Sequence, residues 1–564
     1  MLLCIIFAAG IICLFLGYKF YGTFCEKIFE IDFTKILPSK AKEDGVDYVP
    51  TNKWILFGHH FSSIAGAGPI VGPITAALLF GWFPAFIWIV FACIFVGSMH
   101  DFAALVVSVR NGGESVSSVC KKYLSPISYK MYLGFCWLSL VYFIIVLTDL
   151  TSVTFAPSVA NLGLDEKAKV LTMGNSVAWC SLLYIFYAIL FGYLVRKRIL
   201  SIWGGTAIFV PIILLTVFFA QYMPMIPLTE MVGGAKIYSI ILLVYCFVAA
   251  ILPVWIMLQP RDYLSSYLLF ICMFLSIIGL FFGIFDKSNV INLSDYSGFL
   301  SKDGPLFPVM FVTIACGAVS GFHSLVAGGT TSKQVKHPKD LKFLGYGAMI
   351  MEGVLALISL AAVMIIGKST VYNNPNSIFA GGFSTFTRSL GIPMNLGSTF
   401  ALLALSTFLL TSMDSSTRIA RYILQEFFHK EDWLHKILYT LVVLILPLVM
   451  IFVKMPDAAH PGHYLPVYKA IWPVFGASQQ LLAGLCLLVI YIIRKHKNKS
   501  TGFVFWPMIF MIVASIVGII QIMIKYCREG NYSIVVLSFI LLIMAYVICH
   551  DVIANKIKEK KAKK

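Results

Sequence analysis

Histidines and carboxylates lie inside long apolar runs of this 564-residue sequence: His59, His60, His100, Asp101, Asp149, His323, Glu352 and Asp414. A charge near the centre of a bilayer costs about 2.5–3.5 kcal/mol on insertion scales, so each such group needs a partner or a function. Imidazole titrates near neutral pH, and histidines interleaved with carboxylates at one depth suit a proton relay. At a rise of about 1.5 Å per helical residue, His59, His60, His100, His323, Glu352 and Asp414 fall in one half of the membrane and Asp149 in the other. Plainer structural roles compete. Arg418, one turn after Asp414, predicts an intrahelical ion pair, and Glu352 could simply bond a neighbouring helix. His100 and Asp101 are adjacent, as are His59 and His60, so only one of each pair is expected to line a cavity. His59, His100 and His323 lack the H-x-x-x-H or H-x-x-E spacing of a metal site, so neither metal nor cofactor is expected.

A second kind of chemistry comes from the backbone. The stretch Gly58–Pro73 carries Gly66, Gly68, Gly72, Pro69 and Pro73 where a membrane helix should run unbroken. Prolines remove backbone donors and glycines loosen the helix. Such a break survives in a membrane only inside protein or along a watery cavity, and broken helices form the substrate and ion sites of secondary transporters. The positive end of a half-helix would face a substrate carboxylate, with the backbone at Gly66, Ala67, Gly68 and Pro69 as candidate contacts. A second interruption is predicted at Leu252–Pro253, where Pro253 and Pro260 flank Trp255 and Gln259. Pro253, Trp255 and Gln259 are therefore substrate-site candidates facing the first break. The segment Ile314–Ser332 is rich in small residues that permit close helix approach, and its Ser320 and His323 could relay a proton or ligate a cation. Spans two and nine are expected to pack together, joining His59 or His60 to Ser320 or His323 in one hydrogen-bonded network.

The elements that must position these groups are membrane helices. Hydrophobic residues make up 59% of the chain, charged residues only 12%, and mean hydropathy is +0.88; a soluble protein carries about twice that charge fraction. The expected fold is an all-α polytopic membrane protein with about fifteen spans of roughly 20 residues each. Those bearing the candidates run near 54–80, 83–109, 129–156, 237–258, 306–332, 343–367 and 400–424, and Ile378–Leu396 reads as a re-entrant or interfacial piece. Residues 2–18 read as a retained helix and not a signal peptide. The net charge of +17 sits in short loops and the tail Lys556–Lys564, so it speaks for membrane topology and not for nucleic acid. Lysines and arginines concentrate in the tail and in loops after odd-numbered spans, which predicts an external N-terminus and a cytoplasmic C-terminus. The 13 cysteines form no C-x-x-C pair and read as small core residues. Breaks in the second and seventh spans, with opposite orientation, suggest two inverted five-helix repeats. The expected organisation is an N-terminal helix and loop over 1–53, repeats over 54–221 and 237–424, C-terminal helices over 434–555 and a basic tail over 556–564.

Several strings resemble the carbon starvation protein family: Phe57–Phe61 with Gly66–Pro69 and Gly72–Pro73, Gln259–Leu264, Ile314–His323, Gly345–Met349 with Glu352, Asp414–Tyr422 and Trp472–Gly476. They cover most of the chain in order. The resemblance implies a bacterial inner-membrane importer, not an enzyme, for peptides or pyruvate during carbon starvation. It also implies proton coupling in some members and a leucine-transporter-like fold. Expected partners are a peptide, amino acid or keto acid, a proton or sodium ion, and the lipid bilayer. A starvation sensor or channel is the alternative.

Overall fold

The computed structural model describes the whole chain except residues 46–47, 160–162, 254–255, 287–289, 370–373, 431, 454, 457–463 and 563–564. The described residues are mostly helical. In chain order the helices are α1 (Leu2–Ile28), α2 (Pro38–Ala41), α3 (Lys53–Ile64), α4 (Gly68–Phe80), α5 (Trp82–Ala92), α6 (Ser98–Arg110), α7 (Val116–Cys120), α8 (Pro126–Phe155), α9 (Leu164–Arg196), α10 (Ile202–Phe219), α11 (Pro227–Glu230) and α12 (Gly234–Ile251). They continue as α13 (Leu258–Asp286), α14 (Leu306–Thr313), α15 (Ala315–Ala318), α16 (Gly321–Gly329), α17 (Gly347–Ile366), α18 (Pro375–Arg388), α19 (Met394–Phe428), α20 (Trp433–Phe452), α21 (Val467–His496), α22 (Gly502–Arg528) and α23 (Tyr532–Ala562). A π-turn at Cys93–Gly97 joins α5 to α6 without a break.

Among the described residues 13 helices are long and apolar enough to cross a membrane, and α3 with α4, bent by 43°, makes a fourteenth span. Among the described residues the expected spans are largely helical, but 306–332 is cut into α14, α15 and α16, so no single helix there is long enough to cross. The helix α18, within which the expected re-entrant or interfacial piece begins, has 14 residues, too few to span. Apolar residues all round mark a helix buried on every side, whereas one apolar stripe marks a peripheral helix. The most apolar windows of α17, α19 and α21 are 89% buried, against 33% for α1 and α20. Glu352 and Asp414 ride on this inner set, His59, His60 and His323 on the broken helices, and His100, Asp101 and Asp149 on α6 and α8, which pack against α16 and α21.

The connections sort by face. Loops after odd-numbered spans meet each other: Lys499 beyond α21 pairs with Glu30 beyond α1 at 2.7 Å, Arg110 ends α6 by donating to the Glu30 carbonyl at 3.0 Å, and the Ser125 amide donates to Asp551 at 3.2 Å. Loops after even-numbered spans meet at the other face: Lys525 pairs with Asp303 at 2.7 Å, and the Phe83 amide donates to the Asp295 carbonyl at 3.0 Å.

Leu252–Pro253 does interrupt the helix, but as the turn between α12 and α13 and not as a break within a span. Pro253 would lack the amide that a continuing helix needs. The second internal break lies at Val319–Ser320 in the ninth span. The break spacing used to infer a five-helix repeat therefore does not hold.

Candidate functional site

The first break is a single tight turn. Ala65 has φ −74° and ψ 62°, and the Gly66 amide donates to the Ile64 carbonyl at 2.7 Å; this is an inverse γ-turn. The helix α4 then restarts at Gly68 with Pro69 second, where a missing N–H costs nothing. In the second break Val319 (φ −156°, ψ 99°) and Ser320 (φ −113°, ψ 131°) are extended, and α16 starts at Gly321. Its first turn is capped by a side chain far along the chain: Gln479 Oε1 accepts from the Phe322 amide at 3.1 Å, while Gln479 Nε2 donates to the Ser139 carbonyl at 3.3 Å.

The two broken spans lie against each other, backbone to backbone. A Cβ on Gly68 would fall 2.4 Å from Cys316 Cβ, and one on Gly317 2.8 Å from Pro69 Cα. Only hydrogen at Cα allows this approach, so the glycines that loosen the helices also let the breaks meet. Gly66, Ala67, Gly68 and Pro69 thus sit at the junction, and Ser320 sits in the opposing break. Pro253 and Gln259 are exposed where α12 gives way to α13, and Trp255 lies outside the described residues.

Beside the breaks is a buried chain of histidines and carboxylates. Asp101 on α6 is its centre. His100 Nδ1 donates to Asp101 Oδ1 at 2.8 Å, and His323 Nδ1 on α16 donates to Asp101 Oδ2 at 2.8 Å. An ionised carboxylate only accepts, which places a proton on Nδ1 of both rings. The adjacent pair His100 and Asp101 was expected to face different ways; instead the imidazole folds back and both join one network. Nε2 of His323 lies 3.4 Å from Glu352 Oε2 on α17, and neither Glu352 oxygen has a protein hydrogen bond. All four side chains are at most 1% exposed. His100 also adjoins the Cys486 thiol of α21.

A second network joins α13, α19 and α3. Arg261, fully buried on α13, forms an ion pair with Asp414 Oδ2 on α19, and the same oxygen accepts from Tyr245 at 2.9 Å. Cys246 Sγ lies 3.7 Å from Asp414 Oδ1, and Tyr184 Oη holds the Arg261 carbonyl at 2.5 Å. Asp262 adjoins Arg261 at 3.5 Å and His59 Nδ1 at 3.1 Å. The expected Asp414–Arg418 pair is not formed. Arg418 donates instead to the carbonyls of Ala249 and Leu252 at 2.6 and 2.8 Å, and Arg421 to that of Ala250 at 2.7 Å. These arginines satisfy the free carbonyls at the end of α12, where a cation also suits the helix dipole.

The expected union of His59 or His60 with Ser320 or His323 is not formed directly. Spans two and nine do pack, but His60 Nδ1 meets Thr331 Oγ1 at 2.8 Å, just beyond α16, and His59 turns to Asp262. Asp149 Oδ2 accepts from the Tyr468 amide at 2.8 Å, which makes it a cap for α21. Arg261, Asp262, Thr331 and Gln479 were not among the expected site residues. A signal existed for Arg261 and Asp262, which follow the Pro260 that opens α13; Gln479 left none.

A helical membrane protein with paired broken spans and buried proton-binding groups has the architecture of a transport protein. The chain belongs to the family of carbon starvation protein CstA, whose model matches residues 2–378 and 366–518. Peptide transporter CstA of Escherichia coli K12 is 30% identical, over 86% of this chain and 76% of its own length. Peptide transporter CstA of Bacillus subtilis 168 is 29% identical over 96% and 94%, and the pyruvate/proton symporter BtsT of Escherichia coli K12 is 27% identical over 88% and 78%. Among solved structures, a manganese transporter of Eremococcus coleocola aligns over 91% of this chain and 98% of its own, at 13% identity and a TM-score of 0.45.

Proposed function

We propose that the protein is a proton-coupled secondary transporter that imports small carboxylate-bearing nutrients, peptides or short keto acids, across the bacterial plasma membrane. The observation that carries this reading is the pair of helix breaks at Ala65–Ala67 and Val319–Ser320, set beside the buried chain His100–Asp101–His323–Glu352. The start of α4 offers backbone donors and the positive end of a half-helix to a carboxylate. Beside it, one proton has two homes, Nε2 of His323 and Oε2 of Glu352, and Asp101 stabilises the protonated imidazole. The names of the relatives, peptide transporter and pyruvate/proton symporter, agree with this chemistry. The excess of lysine and arginine in the tail and in loops after odd-numbered spans supports a cytoplasmic C-terminus and an external N-terminus.

The test is uptake by purified protein in liposomes. Labelled dipeptides and pyruvate are offered with an imposed inward proton gradient, with the gradient collapsed by a protonophore, and with a sodium gradient instead. Accumulation above equilibrium that needs the proton gradient is expected. Accumulation driven equally well by sodium alone, or only downhill flux under every condition, rejects proton coupling.

A further inference from the structure

The network around Arg261 does work that the His323–Glu352 pair does not. Its formal charges do not balance: Arg261 contributes one positive charge, and Asp262 and Asp414 two negative ones. Asp414 is fully served by Arg261, Tyr245 and Cys246. Asp262 is not. Its Oδ1 has only the long 3.5 Å contact with Arg261, and its Oδ2, buried with the rest of the side chain, has no hydrogen-bond partner. The group facing that oxygen is His59 Nδ1 at 3.1 Å, itself without an aligned hydrogen bond. Among the imidazole, carboxylate and guanidinium groups of the network, His59 is the one with appreciable exposure, 13% of its side chain, against 0% for Asp262, Arg261 and Asp414.

We propose that His59 and Asp262 form a second proton-binding pair that latches α3, the first half of the broken span, to α13. With the proton bound, imidazolium faces carboxylate and the buried charges sum to zero. Without it, a carboxylate is left in low dielectric with one distant counter-ion, a costly arrangement that loosens the contact. The proton arrives from solvent through the exposed edge of His59 and stays on the pair; no bond other than N–H or O–H changes. The surrounding groups fit this assignment. On α3 itself, His60 turns away to Thr331. From α19, Asp414 is neutralised by Arg261, and Arg418 is spent on the carbonyls ending α12. From α12 come only Tyr245 and Cys246, and from α9 the Tyr184 hydroxyl, all uncharged at neutral pH. His59 is thus the titratable group free to balance Asp262. The contact is also mechanical, since α3 packs on α13 where a Cβ at Gly58 would lie 2.9 Å from Ser266 Oγ, and α3 ends at the break.

This inference deepens the transport reading but is tested without transport. Hydrogen exchange of the segment 53–64 is followed by mass spectrometry in the full-length protein in lipid nanodiscs, at a series of pH values and corrected for intrinsic exchange. Protection that is several-fold higher on the acid side of a pH-dependent step is expected for the wild type. Asp262→Asn and His59→Gln should each abolish the step, and Glu352→Gln should leave it in place. A flat wild-type profile, or a step that survives both substitutions, overturns the latch. Protection that responds to sodium concentration at fixed pH assigns the pair to a metal cation and overturns the proton. Because no substrate is present, failure of gradient-driven uptake leaves this outcome untouched, and failure of the latch leaves the His323–Glu352 pair standing.

Discussion

One acid in this protein has a partner that local sequence misassigns. Asp414 has Arg418 at i+4, the spacing of an intrahelical pair, yet it bonds Arg261, which is 153 positions away in the chain. The reason is competition: the end of α12 leaves bare carbonyls beside Arg418, and these take the guanidinium. Nothing within a window of a few residues encodes that choice. The types of residue in the buried layer were legible, because a charge in an apolar run is conspicuous; which of them touch was not. A thermodynamic cycle separates the two pairings. Asp414→Ala leaves the Arg261 charge buried and unpaired, and a loss of about 3–5 kcal/mol is expected in the unfolding of detergent-solubilised protein. Pairing Asp414→Asn with Arg261→Gln should give a large coupling energy, and pairing it with Arg418→Gln a small one. Equal couplings would return Arg418 to its expected role. For the proton itself, Glu352→Gln keeps the shape of the side chain and removes its titration. Loss of gradient-driven uptake with exchange of substrate at equal concentrations retained is the expected result; full concentrative uptake removes Glu352 from the coupling step.

Element by element, the first break was readable because glycine and proline write it into the chain. The γ-turn at Ala65 falls just before Pro69, where a helix can restart without a donor. The second break has no proline to announce it. Ile314–Ser332 reads as a helix of small residues, and the close approach predicted from them is present at Gly317 and Gly68. What opens the span at Val319–Ser320 is tertiary: Gln479, on a helix more than 150 residues downstream, supplies the cap that lets α16 begin. Gln479→Leu therefore strands the Phe322 amide and should cost about 1–3 kcal/mol, measured as a fall in melting temperature. It should also shift the α16 segment toward faster hydrogen exchange. Gly72→Val probes the seam between the broken spans. A Cβ there lies 2.8 Å from the Thr313 carbonyl oxygen, and backbone cannot yield as a side-chain tip can, so folded yield should drop sharply. Gly163, with open space around it, provides the control, and Gly163→Ala should be silent.

At the scale of the molecule, the sequence sorted the basic residues by loop parity, and the fold sorts the loops themselves by contact. Glu30, Arg110 and Lys499 cluster although they lie at the ends of three different odd-numbered spans, and Asp551, in the last turns of the fifteenth, accepts from Ser125 on the connection after the third. Asp295, Asp303 and Lys525 gather the even-numbered ones. Contacts of this kind do not depend on the positive-inside rule, since they arise from folding and not from counting charges. They require an odd number of crossings between residues on opposite faces, and they count the broken runs 53–80 and 306–329 as crossings. The rule adds only which face is cytoplasmic. The last prediction follows from the two together. In a functional background lacking native cysteines, Lys499→Cys and Asn531→Cys flank α22 and should lie on opposite sides of the membrane. A membrane-impermeant maleimide applied to intact cells should label position 531 and spare 499, and permeabilised cells should label both. Labelling of both from outside would break the parity and with it the count of crossings. Labelling of 499 alone would keep the fold and reverse its orientation, placing the exposed edge of His59 on the opposite side from the one the basic loops assign.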